Sequence, residues 1–293
     1  MPAAEIDVTE QLVRGLLAEQ HPDLADRQLA LVANGWDNAI FRVGDDLLAR
    51  LPRRQAGADL VEHEQRWLPG LVDRLPLPIP APIRVGRPSP TYPWAWTVCR
   101  WFEGEVAADV SLTAPGREAA RLGRFVADLH GIDAADAPPN PFRGQPVAEL
   151  RPRVVANVDR LGDVVDGPRV LAGFDRFASV PEWNHPPLLL HGDLHTANVL
   201  VADGAISAVL DFGDITSGDP AVDLAIGWML FDGADLEQFR RSAGGSAPVD
   251  DHTWSRAQAW AVHFAVMYLL HSADNERFTR MGTALLGSVL PNR

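Results

Sequence analysis

His191-Gly192-Asp193-Leu194-His195-Thr196-Ala197-Asn198, with Asp211-Phe212-Gly213 following thirteen residues after Asn198, is the densest run of chemistry in the chain. Leu188 to Leu190 lead into it, and two apolar runs, 199–202 and 205–210, flank Asp203-Gly204. Asp-Gly between apolar runs predicts a β-hairpin, because a type I′ turn needs positive φ at both central residues. A two-residue turn pairs position 202 with 205 and 198 with 209. Asn198 and Asp211 are therefore expected at the same open end, with Asp193 on the loop just before. Two oxygen ligands, the Asn198 amide and the Asp211 carboxylate, beside the Asp193 carboxylate suit a magnesium site next to a general base.

The constellation resembles the catalytic core of the protein-kinase-like superfamily. There an Asp on the catalytic loop takes the substrate hydroxyl proton, and an Asn and the Asp of Asp-Phe-Gly bind metal. His-Gly-Asp stands where protein kinases carry His-Arg-Asp. Together with Gly218-Asp219-Pro220 and Asp223, the set is similar to the aminoglycoside phosphotransferase family, which includes macrolide phosphotransferases and choline-kinase-like enzymes. The resemblance implies an α+β, protein-kinase-like two-lobe fold: a β-rich nucleotide-binding lobe over residues 1–102, a hinge near 99–104, and a mainly helical catalytic and substrate lobe over 103–293. It implies Asp193 as catalytic base, Asn198 and Asp211 as Mg2+ ligands, and ATP or GTP as phosphoryl donor.

The same resemblance assigns the first lobe. Leu29–Ala33 and Ala39–Val43 read as strands around Asn34-Gly35-Trp36-Asp37-Asn38. Small polar residues and a glycine there can turn backbone N–H groups toward a phosphate, so Gly35 and Asn38 are expected at the nucleotide. Arg50, in the third strand (residues 47–51), stands where the superfamily has a phosphate-binding Lys paired with a Glu on the next helix. Arginine can bridge phosphate and carboxylate. Glu62 and Glu64 both offer a partner, and Glu64 has the spacing to the proline-rich run 75–80 that the family shows. Arg100, Trp101 and Phe102 lie in the implied hinge, whose backbone would hold the purine edge. Cys99 reads as a buried, unreactive thiol.

Elsewhere the pattern is helical. Expected helices cover 5–20 (Thr9 as cap), 58–72, a segment from Thr113 through Leu129, two segments within 147–178 broken at 162–168, one from Asp219-Pro220 to about Phe231 with Asp219 as N-cap, and a last long helix at 252–271. Residues 136–145 read as a loop. Asp223, facing an apolar interior, needs a partner, and the resemblance implies that it hydrogen-bonds the catalytic loop.

Composition narrows the classes. The 293 residues allow two lobes. Net charge is −13, which argues against a nucleic-acid partner. No stretch approaches a membrane span, and the first residues lack a signal pattern. One cysteine fits a reducing cytoplasm, and we expect a monomer. All 26 basic residues are Arg. From Asp203 to Asp251 there are ten acidic residues against two basic ones. Three, Asp211, Asp219 and Asp223, already have roles. The rest include Asp214, Asp232, Asp235, Glu237, Asp250 and Asp251. Such a run favours a small, hydroxylated, polycationic substrate of aminoglycoside type. Trp228, Phe231, Trp254 and Trp260 offer the alternative of an apolar pocket for a macrolide. Protein-kinase activity is disfavoured, because 211–219 leaves no room for an activation loop. A metallohydrolase built on His191, Asp193 and His195, and a non-catalytic nucleotide-binding module, are the other classes kept open.

Overall fold

The computed structural model describes residues 3–35, 37–272 and 275–290. Trp36 of the expected nucleotide loop, and Met1 and Pro2 of the N-terminal reading, lie outside them. The chain divides into two compact units. The first comprises Met1–Arg74, Pro78–Glu103 and Val209–Gly213; the second comprises Leu75–Leu77, Gly104–Ala208 and Asp214–Arg293. The segment bearing Asp211 thus belongs to the first.

In the first unit, helix α1 (Glu10–Gln20) starts at Thr9, whose side chain accepts from the Leu12 N–H at 3.2 Å. A five-stranded antiparallel sheet follows: β1 (Leu29–Asn34), β2 (Asn38–Val43), β3 (Leu47–Pro52), β4 (Pro82–Gly86) and β5 (Trp96–Arg100), in the order β1-β2-β3-β5-β4. Alternating side chains give β2 and β3 one buried face, with Phe41, Val43, Ala49 and Leu51 in a core that also takes Leu16, Leu17 and Trp96. Helix α2 (Gln55–Leu71) begins three residues earlier than its periodicity suggests. Strand β4 was not expected: its apolar alternation spans only Ile83-Arg84-Val85, and Ile83 and Val85 face solvent rather than the core.

In the second unit, β6 (Glu105–Val106) pairs with β8 (Val199–Ala202), which neighbours β9 (Ala205–Val209). Asp203 and Gly204 take φ of 52° and 74°, the signs a type I′ turn requires. Helices α3 (Pro115–His130), α4 (Val147–Leu161) and α5 (Gly167–Ala178) precede β7 (Leu188–Leu190), which pairs antiparallel with β10 (Thr216–Gly218). The expected helix at 220–231 is two short ones, α6 (Ala221–Leu224) and α7 (Ile226–Leu230). Pro220 is the boundary residue, and Asp219 Oδ1 accepts from the Ala221 N–H at 3.1 Å, so Asp219 caps the first turn as expected. The break lets Gly227 press on helix α8 (Gly233–Ala243), where an added Cβ would lie 2.9 Å from Phe239. Helix α9 (Asp251–Leu270) has fourteen buried residues and is the axis of this unit. Helix α10 (Glu276–Val289) follows, so α9 is not the last. Among the described residues no helix is long and apolar enough to cross a membrane.

Candidate functional site

Arg50 stands on β3 opposite Ile40 of β2. Its Nη1 donates to both oxygens of Glu64, at 2.6 and 2.7 Å, and its Nη2 donates to Asp211 Oδ1 at 2.7 Å. The Asn38 amide, turned with its oxygen to the guanidinium, accepts from Arg50 Nη2 and Nε at 3.0 and 3.1 Å. All five guanidinium donors are thus partnered by protein. Burial opposes the charge on Arg50, but Asp211 and Glu64 outweigh it and raise its pKa. Burial also pushes the Glu64 carboxyl up, partly offset by Arg50 and by the Phe212 N–H, which donates to Glu64 at 2.9 Å. Asp211 itself has φ of 60°, a left-handed conformation that costs a residue with a Cβ and clusters at functional sites.

Arg50, Glu64, Asn38 and Asp211 therefore form one network. Two of the remaining first-unit candidates have their backbone N–H already engaged. Gly35 donates its N–H to the Asn38 carbonyl at 2.8 Å, so that N–H is not free for a phosphate. In the expected hinge, the Trp101 N–H donates to the Asp46 carbonyl at 2.8 Å and is not free for a base edge. The Trp101 ring lies under the Arg42 guanidinium at 4.3 Å. Arg100 ends β5 with an exposed side chain, and Phe102 is half-buried after it. Cys99 is buried, and burial pushes its thiol up to about 12, which leaves it unreactive.

The second unit holds the catalytic loop, between β7 and β8. Gly192 has φ of 84°, and a Cβ there would lie 2.3 Å from the Asp214 carbonyl oxygen. That contact explains why glycine stands between His191 and Asp193. Beneath the loop the buried Asp223 accepts from the His191 and Gly192 N–H groups at 2.9 Å each and pairs with His130 Nε2 at 3.1 Å. Asp219 is taken up differently: Arg256 pairs with it at 2.6 Å, both side chains buried. Asp223→Ala would leave two buried N–H groups unpaired. We expect it to destabilise the protein by about 3 kcal/mol, read as a lowered Tm or denaturant midpoint; an unchanged midpoint would contradict this role.

Asp193 lies between two partners. Arg143 Nη2 donates to Oδ1 at 2.7 Å, and His195 Nε2 is 3.3 Å from Oδ2. The Ala197 N–H donates to His195 Nδ1 at 3.1 Å, and Nε2 is the ring nitrogen that faces the carboxylate. Burial works to raise the Asp193 pKa, but Arg143 and His195 override it and hold the carboxyl well below the usual carboxylate range. Asn198 Nδ2 donates to the Asp193 carbonyl at 3.0 Å, which fixes the amide and leaves its oxygen for a cation. His191 Nδ1 accepts from the Asp193 N–H at 3.2 Å. With His191 and His195 nitrogens engaged in this way, the three residues do not present a metallohydrolase ligand set. Among the described residues no group of three or more His, Cys, Asp or Glu side chains is placed to hold a metal. Magnesium commonly takes only one or two protein oxygens and completes its shell with phosphates and water, a demand that the Asn198 oxygen on this loop suits.

Sequence reasoning missed Arg143. It lies in the Pro- and Asn-rich loop before α4, fifty positions from Asp193, where no periodicity points to a partner. Its guanidinium rests over the Phe264 ring at 5.4 Å and is 3.8 Å from Asp214, which Asn140 also binds at 2.7 Å. The aromatic residues considered for a pocket are core. Trp228, Phe231, Trp254 and Trp260 are all buried, and Trp228 packs edge-on to Trp254 at 5.9 Å.

The chain is similar to several solved structures. It superposes on the GDP complex of wild-type aminoglycoside 2'-phosphotransferase-IIIa with a TM-score of 0.72 at 20% identity, covering 96% of this chain and 99% of that one. For the GDP and kanamycin complex of APH(2")-IIia the TM-score is 0.70 at 21% identity, covering 94% and 97%. For the macrolide 2'-phosphotransferase MphH from Brachybacterium faecium it is 0.63 at 22% identity, covering 94% and 97%. These likenesses establish the kinase-like α+β fold. No curated protein sequence matches significantly. The APH family model, described as the phosphotransferase enzyme family, matches residues 28–260. With most of its length inside that match, the chain belongs to the phosphotransferase enzyme family and is a hydroxyl-directed phosphotransferase.

Proposed function

We propose that the protein transfers the terminal phosphoryl group of ATP or GTP, with Mg2+, to a hydroxyl of a small molecule. The observation that carries this reading is Asp193, ionised and fixed by Arg143 and His195, on the loop that also carries Asn198. The acceptor oxygen forms a bond to phosphorus as the bond to the β-phosphate oxygen breaks, and the hydroxyl proton passes to Asp193 Oδ2 or Oδ1. A carboxylate so strongly stabilised is a weak base. Its main work is to orient the hydroxyl and to take the proton late, which suits a loose phosphoryl-transfer transition state. Asn198 and Asp211 would hold the metal, which when bound neutralises charge on the phosphates. Arg50 keeps Glu64 and Asp211 in place and can offer Nη2 to a phosphate oxygen if Asp211 turns to the metal. Residues 1–102 serve as the nucleotide lobe and 103–293 as the catalytic and acceptor lobe. GDP stands in two of the similar structures, which supports a nucleotide donor here.

Both an aminoglycoside and a macrolide reading of the acceptor have relatives behind them. The charge argument for a polycation is weaker in the folded chain than in the sequence. Asp214 binds Asn140, Asp250 caps α9 through the Thr253 N–H, and Glu237 pairs with Arg240, which also lies 3.7 Å from Asp251. Salt separates the cases, because the screening length falls from about 10 Å at 0.1 M to about 3 Å at 1 M. We expect acceptor KM to change less than about twofold over that range. A steep rise with salt would restore the polycation.

The proposal is tested by following nucleotide consumption with Mg2+ against a panel of hydroxylated antibiotics and amino alcohols, ATP and GTP side by side. Metal- and acceptor-dependent formation of a phosphate ester supports it. Acceptor turnover that needs zinc and no nucleotide would replace it with hydrolysis.

A further inference from the structure

The face of α9 beside the catalytic loop carries more polar chemistry than the proposed reaction uses. Tyr268 sets its ring edge-on to His195 at 5.7 Å and stacks on Phe264 at 6.0 Å. Phe264 in turn carries the Arg143 guanidinium. Asp193, His195, Arg143 and Tyr268 are thus one cluster within the second unit. Two donors in it are buried without a hydrogen-bond partner among the described residues: Arg143 Nε and Tyr268 Oη. One turn away both ring nitrogens of the fully buried His263 are unpartnered too. Burial, then the charges of Arg143 and Arg153, push His263 down to about 3, so it stays neutral. Burial, chiefly, raises the Tyr268 hydroxyl well above its ordinary value, and the Asp193 charge adds to this, so it remains a donor. Folded proteins pair nearly all such groups. Unpaired donors gathered beside a catalytic carboxylate are what a site needs to read an oxygen on its substrate.

We propose that Arg143 and Tyr268 bind the acceptor, donating to an oxygen adjacent to the reacting hydroxyl, so that the preferred acceptor carries a neutral or anionic oxygen there and not an ammonium group. This rests on the phosphotransferase reading of Asp193 and names its substrate class. A guanidinium has no acceptor for an ammonium group, and the only acceptor the pair holds, the Tyr268 oxygen, would have to receive it against the Arg143 charge. An ammonium beside Asp193 would also face the buried positive charge of Arg143. The two carboxylates it could seek, Asp193 and Asp214, already have Arg143 at 2.7 and 3.8 Å.

The test uses acceptors in matched pairs that differ only in hydroxyl or amine next to the reacting position, D-glucose with D-glucosamine and glycerol with 3-amino-1,2-propanediol, alongside the wider antibiotic panel. Turnover is followed as nucleotide consumption in wild type, Arg143→Gln and Tyr268→Phe. Tyr268→Phe removes a buried unpaired hydroxyl, so its Tm should hold or rise, and a kinetic change cannot then be laid to unfolding. We expect the oxygen member of a pair to be favoured about tenfold or more in kcat/KM, in line with polar-group discrimination. Both variants should raise acceptor KM about fivefold or more, with nucleotide KM unchanged. Preference for the amine member, or variants that leave acceptor KM unchanged, would overturn this inference alone. Nucleotide consumption with no acceptor at all would overturn the phosphotransferase reading and this inference with it.

Discussion

Asp193→Asn is expected to lower turnover by on the order of 10²- to 10⁴-fold, the range of a general base, with nucleotide KM near that of wild type. The amide keeps the size of the side chain but loses the charge that orients the hydroxyl and receives its proton. It also leaves Arg143, now bound at 2.7 Å, with only the more distant Asp214, so some loss of stability accompanies the kinetic one. Turnover within about a factor of two of wild type would remove Asp193 from the chemistry. The lowered pKa gives the pH dependence its sign. The carboxylate is fully charged above the ordinary Asp range near about pH 4, and its ion-pair stabilisation is lost only as pH falls through the still lower folded value. Activity should therefore show no acid limb from Asp193 above about pH 4. Arg143→Gln removes the larger of the two effects that hold the pKa down, burial still opposes charge, and an acid limb should move upward.

Arg50→Met is expected to cause the second large loss, through two routes at once. Glu64 is buried and receives both donors of Arg50 Nη1. Removing one partner of a buried pair costs about 3–5 kcal/mol, so Tm should fall sharply. In the same variant Asp211 and Asn38 lose their common anchor, and nucleotide KM should rise with kcat falling. Arg50→Lys keeps one charge but cannot bridge Glu64, Asp211 and Asn38 together. It should retain measurable activity and an intermediate Tm. Unchanged nucleotide KM and kcat in Arg50→Met would mean that this network supports the fold only.

Which parts of this were legible follows from where the information sits. Asp203-Gly204 announces a turn because few dipeptides tolerate positive φ at both positions, and the structure has both. Strands β2 and β3 and helices α3, α4 and α5 show in the period of their apolar residues. Glu64 could be set against Arg50 because strand and helix are adjacent in the chain, and the two are paired. Arg143 could not be found, since a loop residue fifty positions upstream reaches Asp193 only through the tertiary fold. Tyr268 and His263 were hidden for another reason: α9 is buried nearly all round, so no stripe of polarity singles out the side facing the catalytic loop. The acidic run from Asp203 to Asp251 misled in part, because a count of charges does not reveal that Asp214 and Glu237 have partners of their own. That the N–H groups of Gly35 and Trp101 are already engaged was likewise not legible: a sequence shows that a donor exists, but not which carbonyl it serves.

The most direct measurement is to incubate the protein with Mg2+ and ATP or GTP labelled in the terminal phosphate, together with the acceptor panel, and to follow the label by phosphorus NMR or mass spectrometry in wild type and Asp193→Asn. The account predicts that the label appears as a phosphate ester on an acceptor hydroxyl, that this requires Mg2+, and that Asp193→Asn slows it by on the order of 10²-fold or more. An ester formed at the wild-type rate by Asp193→Asn, or an acceptor converted with no label transferred, would contradict it.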